Sequence, residues 1–169
     1  MGTKKYELLQ DDTKERLGRK LYRIKALITI GLSVAAGDVG GYVESEKNLS
    51  QSGDAWVSGN AQVYGNARVY GNAWVSGDAQ VYGNARVQKP ADIQTYSGVG
   101  SSSGTLTAYR TTDGIELTRG CFHGDLPKFR AAVEKIHGKE SKYGKTYLAL
   151  ADAIELWFAD APVAQKEAA

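Results

Sequence analysis

A parallel β-helix with triangular coils, capped by β-structure before it and followed by a small α/β unit, is the mainly β fold this sequence predicts. Six hexads run without a gap over residues 53–88, as GDAWVS, GNAQVY, GNARVY, GNAWVS, GDAQVY and GNARVQ, each reading Gly-(Asn/Asp)-Ala-x-Val-x. The variable residues repeat as Trp-Ser, Gln-Tyr, Arg-Tyr and then Trp-Ser, Gln-Tyr, Arg-Gln, so the full period is eighteen residues, three hexads. A period of six recurring at eighteen implies a coil with three short strands and three corners. The flanks abandon the hexad for strand and helix signals of ordinary kind, which sets them apart as separate units.

Residues 1–38 read as an N-terminal β cap. Strands are expected over residues 4–9 and 20–30, joined by a polar loop holding Asp11, Asp12 and Gly18. The end of a β-helix exposes unpaired backbone groups and needs a cover.

Residues 39–93 read as the β-helix, about three coils long. Gly, Asn and Asp tolerate the left-handed backbone a corner requires. Val and Ala of each hexad point inward and stack on their own kind at about 4.8 Å, the ordinary inter-strand spacing. Stepping back by six from Ala55 and Val57 reaches Leu49, Val43 and Val39, expected inside a degenerate first coil; stepping forward reaches Val87, Ala91 and Ile93, with Pro90 in place of the corner Asn. On the outer faces, Trp56 is expected on Trp74, Gln62 on Gln80 and Arg68 on Arg86.

Residues 94–158 read as an α/β unit. Strands are expected over 93–99, 105–111 and 115–119, with Thr112-Asp113-Gly114 as a hairpin turn and a Gly/Ser loop over 98–104. Asp125 and Pro127 open a helix with Leu126, Phe129, Val133 and Ile136 as its apolar stripe, and Gly138 ends it. A second helix over 141–158 is expected to bury Tyr143, Tyr147, Leu150, Ile154 and Trp157. Residues 159–169 carry no pattern and read as a tail.

Composition narrows function. With 42% hydrophobic and 24% charged residues the chain is globular, and a net charge of +2 is too small to imply a nucleic-acid polymer as partner. Cys121 is the only cysteine, which excludes an intrachain disulfide and points to a reducing, cytoplasmic setting. Basic residues from Arg16 to Lys25 followed by the apolar run 26–36 imitate a targeting signal, but the run starts deep in the chain, follows acidic residues and is too short to span a bilayer. No membrane partner is expected.

The hexads resemble those of left-handed β-helix proteins, the architecture of hexapeptide acyltransferases and related trimers. Over more of the chain, "GRKLYRIKAL", "GDVGGYVESEKNLS", the hexads and "TAYRTTDGIELTRGCFHGDLPKFRAAVEKIHG" resemble small hexapeptide-repeat proteins of phages and prophages. The resemblance implies a left-handed helix and a homotrimer in a host cytoplasm. It implies no enzymatic activity. By analogy of class, small oligomeric phage proteins that sequester the nucleotide signals of bacterial immunity offer a function.

Acyl transfer needs a general base, usually His, on or beside the helix. Residues 39–93 contain none, and His123 and His137 both lie in the C-terminal unit. Arg68 and Arg86 form a ladder of like charges that calls for an anion or a carboxylate such as Glu44 nearby. Trp56 and Trp74 need a cover, from a neighbouring subunit, the C-terminal unit or a stacked base. Tyr64, Tyr70 and Tyr82 beside the corners are open to either reading. Ser101, Ser102 and Ser103 sit in a loop that could cradle phosphate or be a plain hairpin turn, with Arg110 and Arg119 on adjacent strands. Cys121 and His123 could form a nucleophile pair, but no carboxylate or Asn at a recognisable spacing supports it and Cys121 reads as core; Cys121, His123 and His137 are too few for a structural zinc site. The expected protein is non-enzymatic, without cofactor, catalytic residue or metal. It is a homotrimer that sequesters an anionic nucleotide through Arg68, Arg86, Arg110, Arg119, Ser101, Ser102, Ser103, Trp56 and Trp74. A ligand-free scaffold is the alternative and an acyltransferase the third.

Overall fold

In the computed structural model, which describes residues 2–159, each hexad contributes one two-residue strand, its x-Val pair. These are β4 (Trp56–Val57), β5 (Gln62–Val63), β6 (Arg68–Val69), β7 (Trp74–Val75), β8 (Gln80–Val81) and β9 (Arg86–Val87), numbered after three N-terminal strands. Pairing is parallel and eighteen residues apart: Trp56 on Trp74, Gln62 on Gln80 and Arg68 on Arg86. Every hexad Ala and Val is buried, and together they form one apolar core. All six hexad glycines have positive φ, between 63° and 70°.

The N-terminal cap is a hairpin of β1 (Tyr6–Arg16) and β2 (Arg19–Ala26), closed by Leu17 and Gly18, both at positive φ. Asp11 and Asp12 lie in a bulge of β1 rather than in the loop: Leu8 faces Ile24 and Thr13 faces Tyr22, so four residues on one strand oppose Arg23 alone on the other. Arg23 holds the bulge by a 2.8 Å ion pair to Asp12. The stretch that imitates a targeting signal supplies β2 and an irregular segment bridged between Ile30 and Val34.

Strand β3 (Val39–Val43) joins cap to coils. It pairs antiparallel with β2 on one edge and parallel with β5 on the other, giving the order β1-β2-β3-β5-β8. Its glycines are there for space. A Cβ on Gly40 would come within 2.5 Å of the Val57 carbonyl, and one on Gly41 within 2.7 Å of the Ala61 carbonyl. The first coil is out of step with the hexads. Val43 pairs with Val63 and Leu49 with Val69, a spacing of twenty, before Trp56 resumes eighteen on Trp74. Val43 and Leu49 therefore occupy valine rather than alanine positions, and Val39 is exposed instead of inside. Buried Asn48 completes the neighbouring corner, donating to the carbonyls of Gly65 and Ala67 at 3.1 and 2.9 Å.

Beyond β9 a 3-10 turn (Pro90–Asp92) leads into the antiparallel sheet β10 (Ile93–Val99), β11 (Gly104–Arg110), β12 (Ile115–Arg119) and β13 (Phe122–Gly124). Ala91 is exposed; Asp92, not Ala91, turns inward. Tyr109 of β11 is fully buried within the coil core, and Thr118 donates to the Gln80 carbonyl at 2.7 Å, so this sheet covers the coils at that end.

The other face of the sheet packs on α1 (Leu126–His137) and α2 (Lys142–Phe158). Asp125 caps α1 by accepting from Lys128 N, and Ser141 caps α2 by accepting from Gly144 N. Leu126, Phe129 and Val133 are buried but Ile136 is 72% exposed. In α2 the buried stripe is Gly144, Tyr147, Ala151, Ile154 and Phe158; Tyr143 and Trp157 are exposed. The stripe is rotated from the expected one because Gly144 must face α1's C-terminus: a Cβ there would strike the Gly138 carbonyl. Apart from Ala159, the tail expected over 159–169 lies outside the described residues. No helix among the described residues is long and apolar enough to cross a membrane.

Candidate functional site

The arginine ladder forms one wall of a groove of about 440 Å³. Parallel pairing sets Arg68 beside Arg86, and the corner residues Asn66 and Asn84 sit next to them for the same reason of period. Lys47, from the first coil, completes the lining. The described residues lining this groove thus include three cations and no carboxylate. Arg86 is held in place by donating to the carbonyls of Asn66 and Ala85, both at 2.7 Å. Glu44, a candidate partner for the ladder, is engaged elsewhere. It accepts from Arg19 Nη1 at 2.8 Å and from Gly65 N at 2.7 Å.

A second groove of about 660 Å³ shares Lys47, Gly65 and Asn66 with the first. It is lined further by Arg19, Glu44, Tyr64 and Tyr82. The two tyrosines stack, with ring centroids 4.7 Å apart and planes 14° from parallel. Burial pushes the Tyr82 hydroxyl up to about 12 and raises that of Tyr64. Both stay neutral near pH 7 and add no negative charge to the groove.

The other expected ligand residues are distributed differently. Trp56 is 2% exposed, covered by Tyr6 of the cap in an edge-on contact at 6.5 Å and by the Gly40 backbone. It offers no face to a ligand and needs no neighbouring subunit to cover it; Trp74 is half-buried. Arg110 is buried in an ion pair with Asp92 at 2.9 Å and lies over the Phe158 ring, so it is not part of either groove. Arg119 and Ser102 do meet, at 2.9 Å, but in a separate cavity that shares no lining residue with the grooves. Ser101 also lines that cavity, whereas Ser103 is an exposed turn residue at positive φ.

Cys121 is exposed, not core, because it sits in the turn between β12 and β13. His123 is brought against the coils although it is distant in sequence. Its ring lies 4.4 Å from that of Tyr82, its Nε2 is 2.7 Å from Glu116, and it sits beside Gly83 at the margin of the second groove. His137 stacks on Tyr147 at 5.5 Å. Among the described residues no group of three or more His, Cys, Asp or Glu side chains converges as a metal site would require. Sequence reasoning missed Lys47, and it weighed His123 only beside Cys121 and His137, not against the coils. Asn66 and Asn84, by contrast, were legible as the corner residues two before each ladder arginine.

Comparison with known proteins bears on the repeats. The family model described as the YdcK β-solenoid repeat matches residues 61–77 and 79–89. No curated protein matches the chain. With the ladders and the two helices described above, the chain is a mainly β protein carrying β-solenoid repeats.

Proposed function

We propose that this is a non-enzymatic phage binding protein that sequesters an anionic, nucleotide-type ligand along the Arg68–Arg86 groove. The observation that carries this reading is the convergence of Lys47, Arg68 and Arg86 on one groove, continuous with a groove walled by the stacked Tyr64 and Tyr82. Guanidinium forks suit phosphate oxygens, and half-buried Tyr82 offers a ring edge and hydroxyl to a base or ribose. The phage setting, host cytoplasm and counter-defence role rest on the resemblance of the sequence. So do a left-handed helix of about three coils and a homotrimer, in which each ladder would lie near a neighbouring subunit.

The test is calorimetry with a panel of mono-, di- and cyclic oligonucleotides. Replacing Arg68 and Arg86 together by Gln is expected to weaken the bound nucleotide by about 2 kcal/mol or more, since hydrogen bonds to charged groups contribute roughly 1.5–3 kcal/mol each. Ligand recovered unchanged after heat denaturation supports sequestration. Conversion to product, abolished by His123→Ala, would replace the reading with an enzyme using the His123–Glu116 pair. Sedimentation showing a concentration-independent monomer would overturn the trimer.

A scaffold reading has one observation in its favour. Leu27, Ile28, Leu32 and Val39 are exposed on and beside the segment between β2 and β3. Absence of binding across the panel would hand the case to it.

A further inference from the structure

The cavity between the β10–β11 turn, the β12–β13 turn and helices α1 and α2 has features the groove lacks. It measures about 270 Å³, just below the usual range of ligand pockets and so suited only to a small molecule. Phe122, Phe129, Val133 and Ile136 give it an apolar wall, and Arg119 is the one permanently charged residue among its described lining residues.

Arg119 is placed with unusual care for a half-buried cation. Its Nε donates to the Tyr147 hydroxyl at 2.9 Å, and its Nη2 donates to the Val99 carbonyl and the Ser102 hydroxyl, each at 2.9 Å. Two glycines clear the space. A Cβ on Gly104 would collide with Arg119 Nη1, and one on Gly100 with the Tyr147 hydroxyl. Gly104 does not have the positive φ that would call for glycine, so close approach of the guanidinium is what excludes a side chain there. Yet all its partners are neutral. Among the described residues no carboxylate pairs with Arg119, and Nη1 makes no hydrogen bond. A cation fixed by neutral acceptors beside an apolar wall is electrostatically incomplete, and an anion supplied from outside completes it.

We propose that this cavity is a second ligand site, taking a small monocarboxylic acid with an aryl or branched-alkyl body. The carboxylate meets Arg119 and the body lies against Phe122, Phe129 and Val133. One fixed cation matches one negative charge, whereas a phosphate dianion would be left half-neutralised. The site is independent of the groove assigned to nucleotides, and failure of either leaves the other standing.

Cys121 lines the same cavity, is exposed and is the chain's only cysteine, so its alkylation reports occupancy at this place alone. The full chain is titrated by calorimetry with 3-phenylpropionate and with its neutral counterpart 3-phenylpropionamide. Iodoacetamide labelling of Cys121 is followed in parallel. The acid is expected to bind at least about tenfold more tightly than the amide and to slow alkylation. Arg119→Gln should abolish that preference. Should that variant not fold, Ala132→Leu, which fills the cavity from α1 and keeps the charge, should weaken the acid by a similar factor. Equal binding of acid and amide, no binding up to about 10 mM, or an unchanged alkylation rate at saturation would each overturn the proposal.

Discussion

Arg110 Nε donates to Asp92 Oδ1 at 2.9 Å, and both side chains are more than nine-tenths buried. The other oxygen of Asp92 accepts the backbone N–H groups of Gln88 and Lys89, both at 3.0 Å. One carboxylate thus ends the last coil and ties it to the C-terminal sheet. Arg110→Met is expected to cost about 3–5 kcal/mol, because a buried charge loses its partner. Adding Asp92→Asn in that background should recover part of the loss, since the amide oxygen keeps an acceptor for the backbone and carries no charge. Urea midpoints of the three proteins check this; no recovery would mean that the arginine acts by packing on Phe158 rather than by charge.

The coil interior should be intolerant of charge and of volume. Val69 and Ala67 are both buried, one behind the other on the same hexad. Val69→Asp places a carboxylate in a buried apolar core and should cost several kcal/mol or prevent folding. Ala67→Leu overpacks it by about 1–3 kcal/mol. Thermal melts of both variants matching the parent would contradict the inward placement of these residues.

Gly71 and Gly77 separate the two reasons for a corner glycine. Both have φ of 65°, but a Cβ on Gly71 would strike the Gln88 carbonyl whereas one on Gly77 meets nothing within 4 Å. Gly77→Ala should cost about 1–2 kcal/mol from backbone strain alone. Gly71→Ala should cost distinctly more. Equal losses in denaturant titration would show that stacking between coils yields freely at this corner.

Lys5 links stability to pH. Its ammonium donates to the Ala55 carbonyl at 2.8 Å inside the cap, and desolvation lowers its pKa to about 8, against a smaller opposing pull from Asp54. The unfolded chain therefore holds this proton more tightly than the folded one between pH 8 and 10.5. The Lys5 contribution to stability should rise with pH across that window. Burial raises the pKa of Tyr6, Tyr82 and Tyr109, so their contribution is complete below pH 10 and falls above it. The stability difference between the parent and Lys5→Met should shift in the parent's favour from about pH 7.5 to about pH 9.5. A flat difference would place the lysine pKa at its ordinary value.

The repeat was legible because its contacts are arithmetic. Once the chain turns a corner every six residues, like residues must meet every eighteen, and Trp56 on Trp74, Gln62 on Gln80 and Arg68 on Arg86 follow. The same arithmetic failed one coil earlier. Eight residues rather than six separate Leu49 from Val57, and an insertion at a corner leaves no mark in a count by six. The hairpin strands, the helix cap at Asp125 and the turn at Gly114 were local signals and were readable as such. The face of α2 was not, because Gly144 is chosen by the helix it touches.

By itself the sequence determined the coil ladders, their inward alanines and valines, and the cationic column that lines the groove, all of which follow from local backbone geometry repeated at a fixed period. Only the tertiary structure decided what closes on the coils. Tyr6 covers Trp56, Asp92 withdraws Arg110 from the surface, His123 is carried to Tyr82, and Arg119 joins Ser102 and Tyr147 away from the ladder. These pairings join units that no period relates. They are set by which ends of the core would otherwise face water and which buried charges need partners, and that is decided when the cap and the C-terminal sheet dock.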